Sequence, residues 1–179
     1  MIFADMHGSR RRTSPILTVA TASIAACACI YPTLISVRQR IFFNPSSSAP
    51  RGWYWLAGSP SYRLGSFAIA YLPTSAAALA DGRNYIPRTI PVLKRLAAVP
   101  GDRVCEFGGN VRINGRSVAD AATQDGRGRE LRPWRGCRIL RAGQYFLLNQ
   151  DIPQSFDSRY FGPINDSLLL GTAVPLWTW

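Results

Sequence analysis

A serine hydroxyl becomes a nucleophile only when a nearby base takes its proton, and this chain has few bases to offer. Its 179 residues hold one histidine, His7, and one lysine, Lys94, against twenty arginines. A Ser-His-Asp or Cys-His site would need a histidine, and His7 lies outside the region read below as folded. A zinc site built from His and Cys is equally short of ligands, and no metal or other cofactor is implied. Arginine cannot act as the base, because its guanidinium stays protonated. A neutral lysine amine can. Lys94 sits in Ile90-Pro91-Val92-Leu93-Lys94-Arg95-Leu96-Ala97-Ala98-Val99-Pro100-Gly101-Asp102, flanked by apolar residues. With its side chain turned inward, desolvation would disfavour the ammonium; lowering its pKa from about 10.4 to near 8 takes roughly 3 kcal/mol. The plainer alternative is a strand lysine that snorkels to water.

The serine candidate lies in Asn44-Pro45-Ser46-Ser47-Ser48-Ala49-Pro50-Arg51-Gly52-Trp53-Tyr54-Trp55. Pro50 and Gly52 impose a tightly turned, non-helical backbone that can present a hydroxyl at a strand end. Taken alone, the same residues read as a Ser/Pro linker. A third segment is Gln154-Ser155-Phe156-Asp157-Ser158-Arg159-Tyr160-Phe161-Gly162-Pro163. There Asp157 and Arg159 can pair as a structural clamp, and Ser155 can hydrogen-bond an amine without adding charge. Taken alone, this segment reads as a solvated turn.

The elements that must position these groups read as mainly β. Short apolar or alternating runs punctuated by Gly, Pro and Asp cover Trp53 to Leu56, Ser66 to Leu72, Val92 to Val99 and Arg103 to Phe107. Asn114-Gly115 between Val111-Arg112-Ile113 and Arg116-Ser117-Val118 predicts a type I′ hairpin. Pro100-Gly101 predicts a second turn. Thr74 to Gly82 reads as a short capped helix, Gln144 to Asn149 and Ser167 to Leu170 as further strands, and Ala119 to Arg135 as an Arg-rich loop or flap. With 47% hydrophobic and 17% charged residues the chain can build a packed core, which excludes wholesale disorder.

The division predicted is a basic N-terminus over residues 1–14, a transmembrane anchor over 15–37 and an exported domain over 38–179. No charged side chain occurs from Pro15 to Val37, a length that as a helix spans roughly 30 Å of hydrocarbon. Arg10, Arg11 and Arg12 favour keeping the N-terminus cytoplasmic, while Arg38 and Arg40 weaken that vote without reversing it. Pro32 is placed to end or kink the helix. A cleaved secretory signal has the same form, and Ile24-Ala25-Ala26-Cys27 resembles a lipoprotein cleavage box. Cys27 and Cys29 read as small apolar membrane residues. In an oxidising compartment Cys105 and Cys137 read as a disulfide closing a 32-residue separation, stabilising by roughly 3–4 kcal/mol; two separate buried thiols are the alternative.

In this order the three boxes resemble the type I signal peptidase superfamily of membrane-anchored Ser/Lys endopeptidases. Lys94-Arg95 with Val99-Pro100-Gly101-Asp102 looks like that family's lysine box, and Ser155 to Pro163 like its Ser-x-Asp-Ser-Arg-aromatic-x-Gly box. The serine box departs from the leader-peptidase form and is similar to the conjugative-transfer (TraF-like) branch, with Asn44 and then Ser48-Ala49-Pro50-Arg51-Gly52-Trp53-Tyr54. The resemblance runs from the anchor to about Pro163. It implies a signal-peptidase-like β domain with one N-terminal transmembrane helix and a short additional helix. It implies Ser48 as nucleophile, Lys94 as general base, Ser155 orienting the amine, and Asp157 with Arg159 as the ion pair beneath the site. The Ser48 N–H would serve the oxyanion, with the Ser46 hydroxyl as a second donor.

The function expected is endoproteolysis of an exported precursor, pilin-like, at the periplasmic face of a bacterial inner membrane. Inner-membrane lipid is then a second partner, and no nucleic acid is expected. The acyl-enzyme would be resolved by water or by a substrate amine. A general signal peptidase is the neighbouring alternative. A different class is a non-catalytic, membrane-tethered β domain that binds anionic partners through Arg127, Arg129, Arg132, Arg135, Arg138 and Arg141.

Overall fold

A computed structural model of the chain describes residues 14–34, 40–57 and 62–179. It divides into an N-terminal unit, Met1–Arg38, and a second unit, Gln39–Trp179, described separately. In the first, α1 (Pro15–Leu34) runs for 20 residues. Thr18 and Thr21 fold their hydroxyls back onto carbonyls three and four residues earlier, which satisfies them within the helix. Among the described residues, no helix is long and apolar enough to cross a membrane. Ala, Thr, Ser and Pro dilute the hydropathy of α1, and residues 1–13 and 35–37 of the expected N-terminus and span lie outside the described residues.

The second unit is mainly β. Its strands are β1 (Ile41–Asn44), β2 (Gly52–Ala57), β3 (Phe67–Ala70), β4 (Val92–Ala98), β5 (Arg103–Phe107), β6 (Asn110–Ile113), β7 (Arg116–Asp120), β8 (Gly136–Ile139), β9 (Gln144–Leu147), β10 (Ile164–Asn165) and β11 (Leu169–Thr178). Two helices accompany them, α2 (Thr74–Gly82) and the one-turn α3 (Ser158–Phe161). Seven strands form one sheet in the order β1-β2-β11-β3-β4-β9-β10, and four form a second in the order β7-β6-β5-β8. All the named pairings are antiparallel.

Most of these elements follow from local pattern. In β4 burial alternates, so Val92, Lys94, Leu96 and Ala98 turn inward while Arg95 turns to solvent. In β2 the same alternation buries Tyr54 and exposes Trp53 and Trp55. The hairpin at Asn114-Gly115 forms as expected, with both residues at positive φ, 52° and 82°. Cys105 and Cys137 are directly opposite on β5 and β8 and are joined as a disulfide.

Three expectations need correction. Thr74 is the first residue of α2 rather than its cap: the capping position is Pro73, and no side chain caps the end. Gly82 does not take the left-handed position after the helix; Asn84 does, at φ 57°. Only the second half of the strand expected at Ser167 to Leu170 forms: Ser167 and Leu168 lie in a 3₁₀ turn, Asp166–Leu168, and Leu169 opens a longer strand that runs to Thr178. β11 inserts between β2 and β3, so the last residues of the chain lie within the main sheet. Pro175 is tolerated there because β3 pairs only as far as Ala173 and the register with β2 shifts between Pro175 and Trp177. Gly52 faces Thr178 at φ +141°, and a Cβ on it would meet the Trp177 carbonyl oxygen at 2.0 Å.

The segment from Asn149 to Arg159 has little regular structure, yet Asn149, Ser155, Asp157, Ser158 and Arg159 within it are buried. Arg159 organises it. Its guanidinium lies on both carboxylate oxygens of Asp157 at 2.9 Å and donates to the carbonyls of Ile152 (2.7 Å), Ser155 (3.3 Å), Asn149 (3.4 Å) and Asp120 (3.2 Å). Asp157 also accepts from the Asn149 N–H at 3.2 Å and from the Arg159 N–H that opens α3. With both side chains almost fully buried, removing one partner leaves an uncompensated charge, which costs about 3–5 kcal/mol. Asp157→Ala is expected to lower the thermal midpoint of the full chain in detergent by on the order of 10 °C. The double variant Asp157→Ala/Arg159→Met is expected to recover part of that loss. Tryptophan fluorescence melts check both.

Candidate active site

The serine segment is a loop between β1 and β2, and Asn44 at the end of β1 ties it down. The Asn44 Nδ2 donates to the carbonyls of Ser46 (3.1 Å), Ala49 (3.2 Å) and Pro50 (3.1 Å). These three acceptors fix the orientation of the amide, leaving Oδ1 to accept from the Ser46 N–H at 3.2 Å and the Ser46 hydroxyl at 3.0 Å. The Tyr54 hydroxyl adds a bond to the Pro50 carbonyl at 2.7 Å. From the other side, the Asn149 Nδ2 donates to the Ser48 carbonyl, while Asn149 Oδ1 accepts from the Arg95 N–H at 3.0 Å. Asn149 thus ties the serine loop to β4. The motif contained Asn44 without showing its part as a clamp. Asn149 carried no local signal: it ends an apolar strand run, and only the tertiary fold brings it to a partner 101 residues away in sequence.

Lys94 stands on the inward face of β4, 3% exposed, and its Nζ donates to Ser155 Oγ at 2.8 Å. Burial pushes its pKa down from 10.5 to about 8. Asp157 opposes that shift and the Arg159 guanidinium adds to it. Favouring the neutral amine by this much corresponds to about 3 kcal/mol against the ammonium. The unfolded chain holds this proton up to its ordinary pKa and the folded chain only to about 8. Stability from this group therefore rises as the pH goes from 8 toward 10.5 and stays at its lower level below 8. The snorkelling alternative is set aside by this burial.

Ser46, Ser48, Lys94 and Ser155 all line one cavity of about 620 Å³, whose apolar walls include Ile86 and Leu93. The far wall includes Asp125, held by Arg83 (3.7 Å), Arg129 (2.7 Å) and the Tyr85 hydroxyl, so the polar stretch Ala119 to Arg135 is a pinned flap rather than a free loop. Within the cavity Ser48 Oγ lies 2.9 Å from Ser46 Oγ. Since the single hydroxyl proton of Ser46 goes to Asn44, Ser48 is the donor in that pair. Among the described residues Ser48 Oγ makes no hydrogen bond to Lys94. The structure therefore brings the expected residues to one cavity in two linked pairs, Ser48 with Ser46 and Lys94 with Ser155. Asp157 and Arg159 lie directly behind the second pair, which they hold through the Ser155 carbonyl. Cys105 and Cys137 lie in the four-stranded sheet and do not line the cavity.

The chain is similar over most of its length to several known proteins. A "Conjugal transfer protein TraF" of Agrobacterium tumefaciens (strain 15955) is 35% identical over 156 residues, 74% of this chain and 87% of that protein. A "Probable conjugal transfer protein TraF" of Sinorhizobium fredii (strain NBRC 101917 / NGR234) is 32% identical over 186 residues, 98% and 96% of the two chains. A "Plasmid transfer protein TraF" of Escherichia coli is 30% identical over 147 residues, 76% and 82%. The crystal structure of a signal peptidase I from Enterococcus faecalis V583 aligns with a TM-score of 0.38 and 21% identity, covering 64% of this chain and 98% of that one, too distant a likeness to carry further argument. The profile described as "Signal peptidase, peptidase S26" matches residues 12–179, passing the last recognised box at Pro163 to take in all of β11. With so nearly the whole length matched, the chain belongs to the signal peptidase family, peptidase S26.

Proposed function

We propose that the protein is a membrane-anchored serine endopeptidase that processes an exported precursor by means of Ser48 and Lys94. The observation that carries this reading is a buried amine, held by Ser155 at 2.8 Å and pushed down by burial to a pKa of about 8, in the cavity that Ser48 also lines. Ser48 Oγ must first leave Ser46 and turn to the Lys94 amine. The amine takes its proton as the oxygen attacks the scissile carbonyl, and the resulting ammonium returns a proton to the leaving amine. The developing oxyanion is placed at the Ser48 N–H. Ser46 can add a donor there only by releasing Asn44, because its one proton is already given to Oδ1. Water, or a substrate amine, then resolves the acyl-enzyme, giving hydrolysis or joining of ends.

The conjugal and plasmid transfer names of the relatives support a substrate in a conjugation apparatus, and a pilin precursor is the reading adopted. The exported, membrane-proximal placement rests on three features. Charge-free Pro15 to Val37 follows an arginine triplet, Cys105 and Cys137 form a disulfide, and Phe43, Trp53, Trp55 and Trp177 stand exposed on adjacent strands β1, β2 and β11. Aromatic side chains of this kind favour the membrane interface.

Incubation of the purified full chain with a candidate pilin precursor, read by intact mass, tests the reaction: loss of a peptide with addition of water marks hydrolysis, and loss without water marks ring closure. Ser48→Ala and Lys94→Met are each expected to reduce processing at least about a thousandfold while the variants stay folded. Normal processing by either overturns the dyad. The rate is expected to climb about tenfold per pH unit below pH 8 and to level above it, since only the unprotonated amine accepts the Ser48 proton. A flat single-turnover profile from pH 6 to 9 would remove Lys94 from the role of base. Asn44→Asp, which puts an acceptor where three carbonyls now receive a donor, is expected to lower kcat by on the order of a hundredfold through misplacement of Ser48.

A further inference from the structure

Adjacent residues of β4 serve opposite faces of the sheet. Lys94 lines the apolar cavity, and Arg95 lines a second one, of about 530 Å³. The two cavities share Ser47 and Ser48. A peptide whose carbonyl is attacked at Ser48 Oγ therefore has somewhere to go in both directions. Phe42, Ile86 and Leu93 give the first cavity apolar walls suited to the acyl half, which stays attached to the enzyme. The second cavity is then left for the departing half.

Its lining differs in kind. Arg51, Arg95, Phe67, Asn149, Asp151 and Trp179 surround it, two guanidinium side chains against one carboxylate side chain. The Arg95 guanidinium is already placed, its Cζ 4.1 Å above the centre of the Phe67 ring and one Nη1–H bonded to the Gly65 carbonyl at 3.0 Å. Its other N–H donors have no partner among the described residues. The side chain of Arg51 makes no hydrogen bond or ion pair among them, and neither arginine is paired with Asp151. A guanidinium stacked on a ring loses little freedom when it accepts a ligand, and its paired N–H groups match the two oxygens of a carboxylate.

We propose that this second cavity is a subsite for the leaving half of the substrate and that Arg51 and Arg95 recognise a carboxylate there. The carboxylate is either an Asp or Glu side chain shortly after the cut or the terminal carboxylate of a short leaving peptide. The proposal deepens the peptidase reading, because it rests on Ser48 as the point of attack.

The test uses the full chain in detergent and a set of synthetic peptides with one common acyl half of small residues. Their leaving halves carry Glu, Gln or Lys at one position, and each is made as the free acid and as the amide. Turnover is measured on the wild-type protein and binding on Ser48→Ala, which cannot process them. A peptide with a leaving-side carboxylate is expected to bind and to react, through KM, about tenfold better than its Gln or amide counterpart. That ratio is expected to fall toward one in Arg51→Gln and Arg95→Gln, and to shrink in high salt. The Glu-against-Gln ratio and the acid-against-amide ratio separate the two sources of the carboxylate. Equal binding of charged and neutral peptides to Ser48→Ala, or none, overturns the subsite, as does a preference that survives both arginine substitutions. A preference that follows a carboxylate placed before the cut overturns the assignment of the cavity to the leaving half. Acid-selective binding without any turnover by the wild type overturns the peptidase reading and leaves carboxylate recognition standing.

Discussion

The ion pair between Asp157 and Arg159 governs more of this molecule than its two residues suggest. A guanidinium that is 1% exposed must give its N–H groups to something, and here it gives them to Asp157 and to four backbone carbonyls. Three of those carbonyls, of Asn149, Ile152 and Ser155, belong to a segment with little secondary structure of its own, and the fourth, of Asp120, ends β7. The pair therefore does the work of a strand: it gives Ser155 a fixed place, and through Ser155 it gives the Lys94 amine a fixed place. Its electrostatic effect on that amine is divided, since the carboxylate favours the ammonium and the guanidinium disfavours it. The lysine is brought toward neutrality mainly by its removal from water, and the pair supplies position.

On the other side of the cavity the serine is held by amides. Asn44 gathers three carbonyls of its own loop, and Asn149 reaches across from the end of β9 to a fourth. Neither carries charge, so the surroundings of Ser48 are shaped without changing the protonation balance at Lys94. The resting Ser48 hydroxyl is satisfied by Ser46, and in the proposed mechanism it leaves that partner before it reacts.

How much of this was legible in the sequence depended on whether the cause was local. Alternation exposed β2, β4 and β5, and Asn114-Gly115 announced its own turn through the backbone angles it needs. The three boxes were readable because each carries unusual residues in fixed spacing, and the structure gathers Ser48, Lys94 and Ser155 at one cavity. What escaped had non-local causes. β11 reads Leu-Leu-Gly-Thr-Ala-Val-Pro-Leu-Trp-Thr, with a glycine and a proline that interrupt any simple pattern. Gly171 lies close against Leu56, and Pro175 is allowed by the early end of β3, neither of which is visible without the neighbours. Asn149 escaped for the same reason. The helix cap at Thr74 was misread because a threonine before an alanine run looks like a cap whether or not the preceding proline already fills that position.

The alternation of β4 has a consequence for how such a protein can change. Lys94 and Arg95 are separated by one residue of pleat, and each looks into a different chamber. Inserting or deleting a single amino acid just ahead of them would rotate the strand half a turn and exchange their positions. A permanently cationic head would then sit where the proposed mechanism requires proton exchange, and a titratable amine would stand in the second chamber. On the proposed mechanism such a lesion abolishes function at a stroke rather than by degrees, so drift in this stretch can proceed by replacement of side chains but not by change of length.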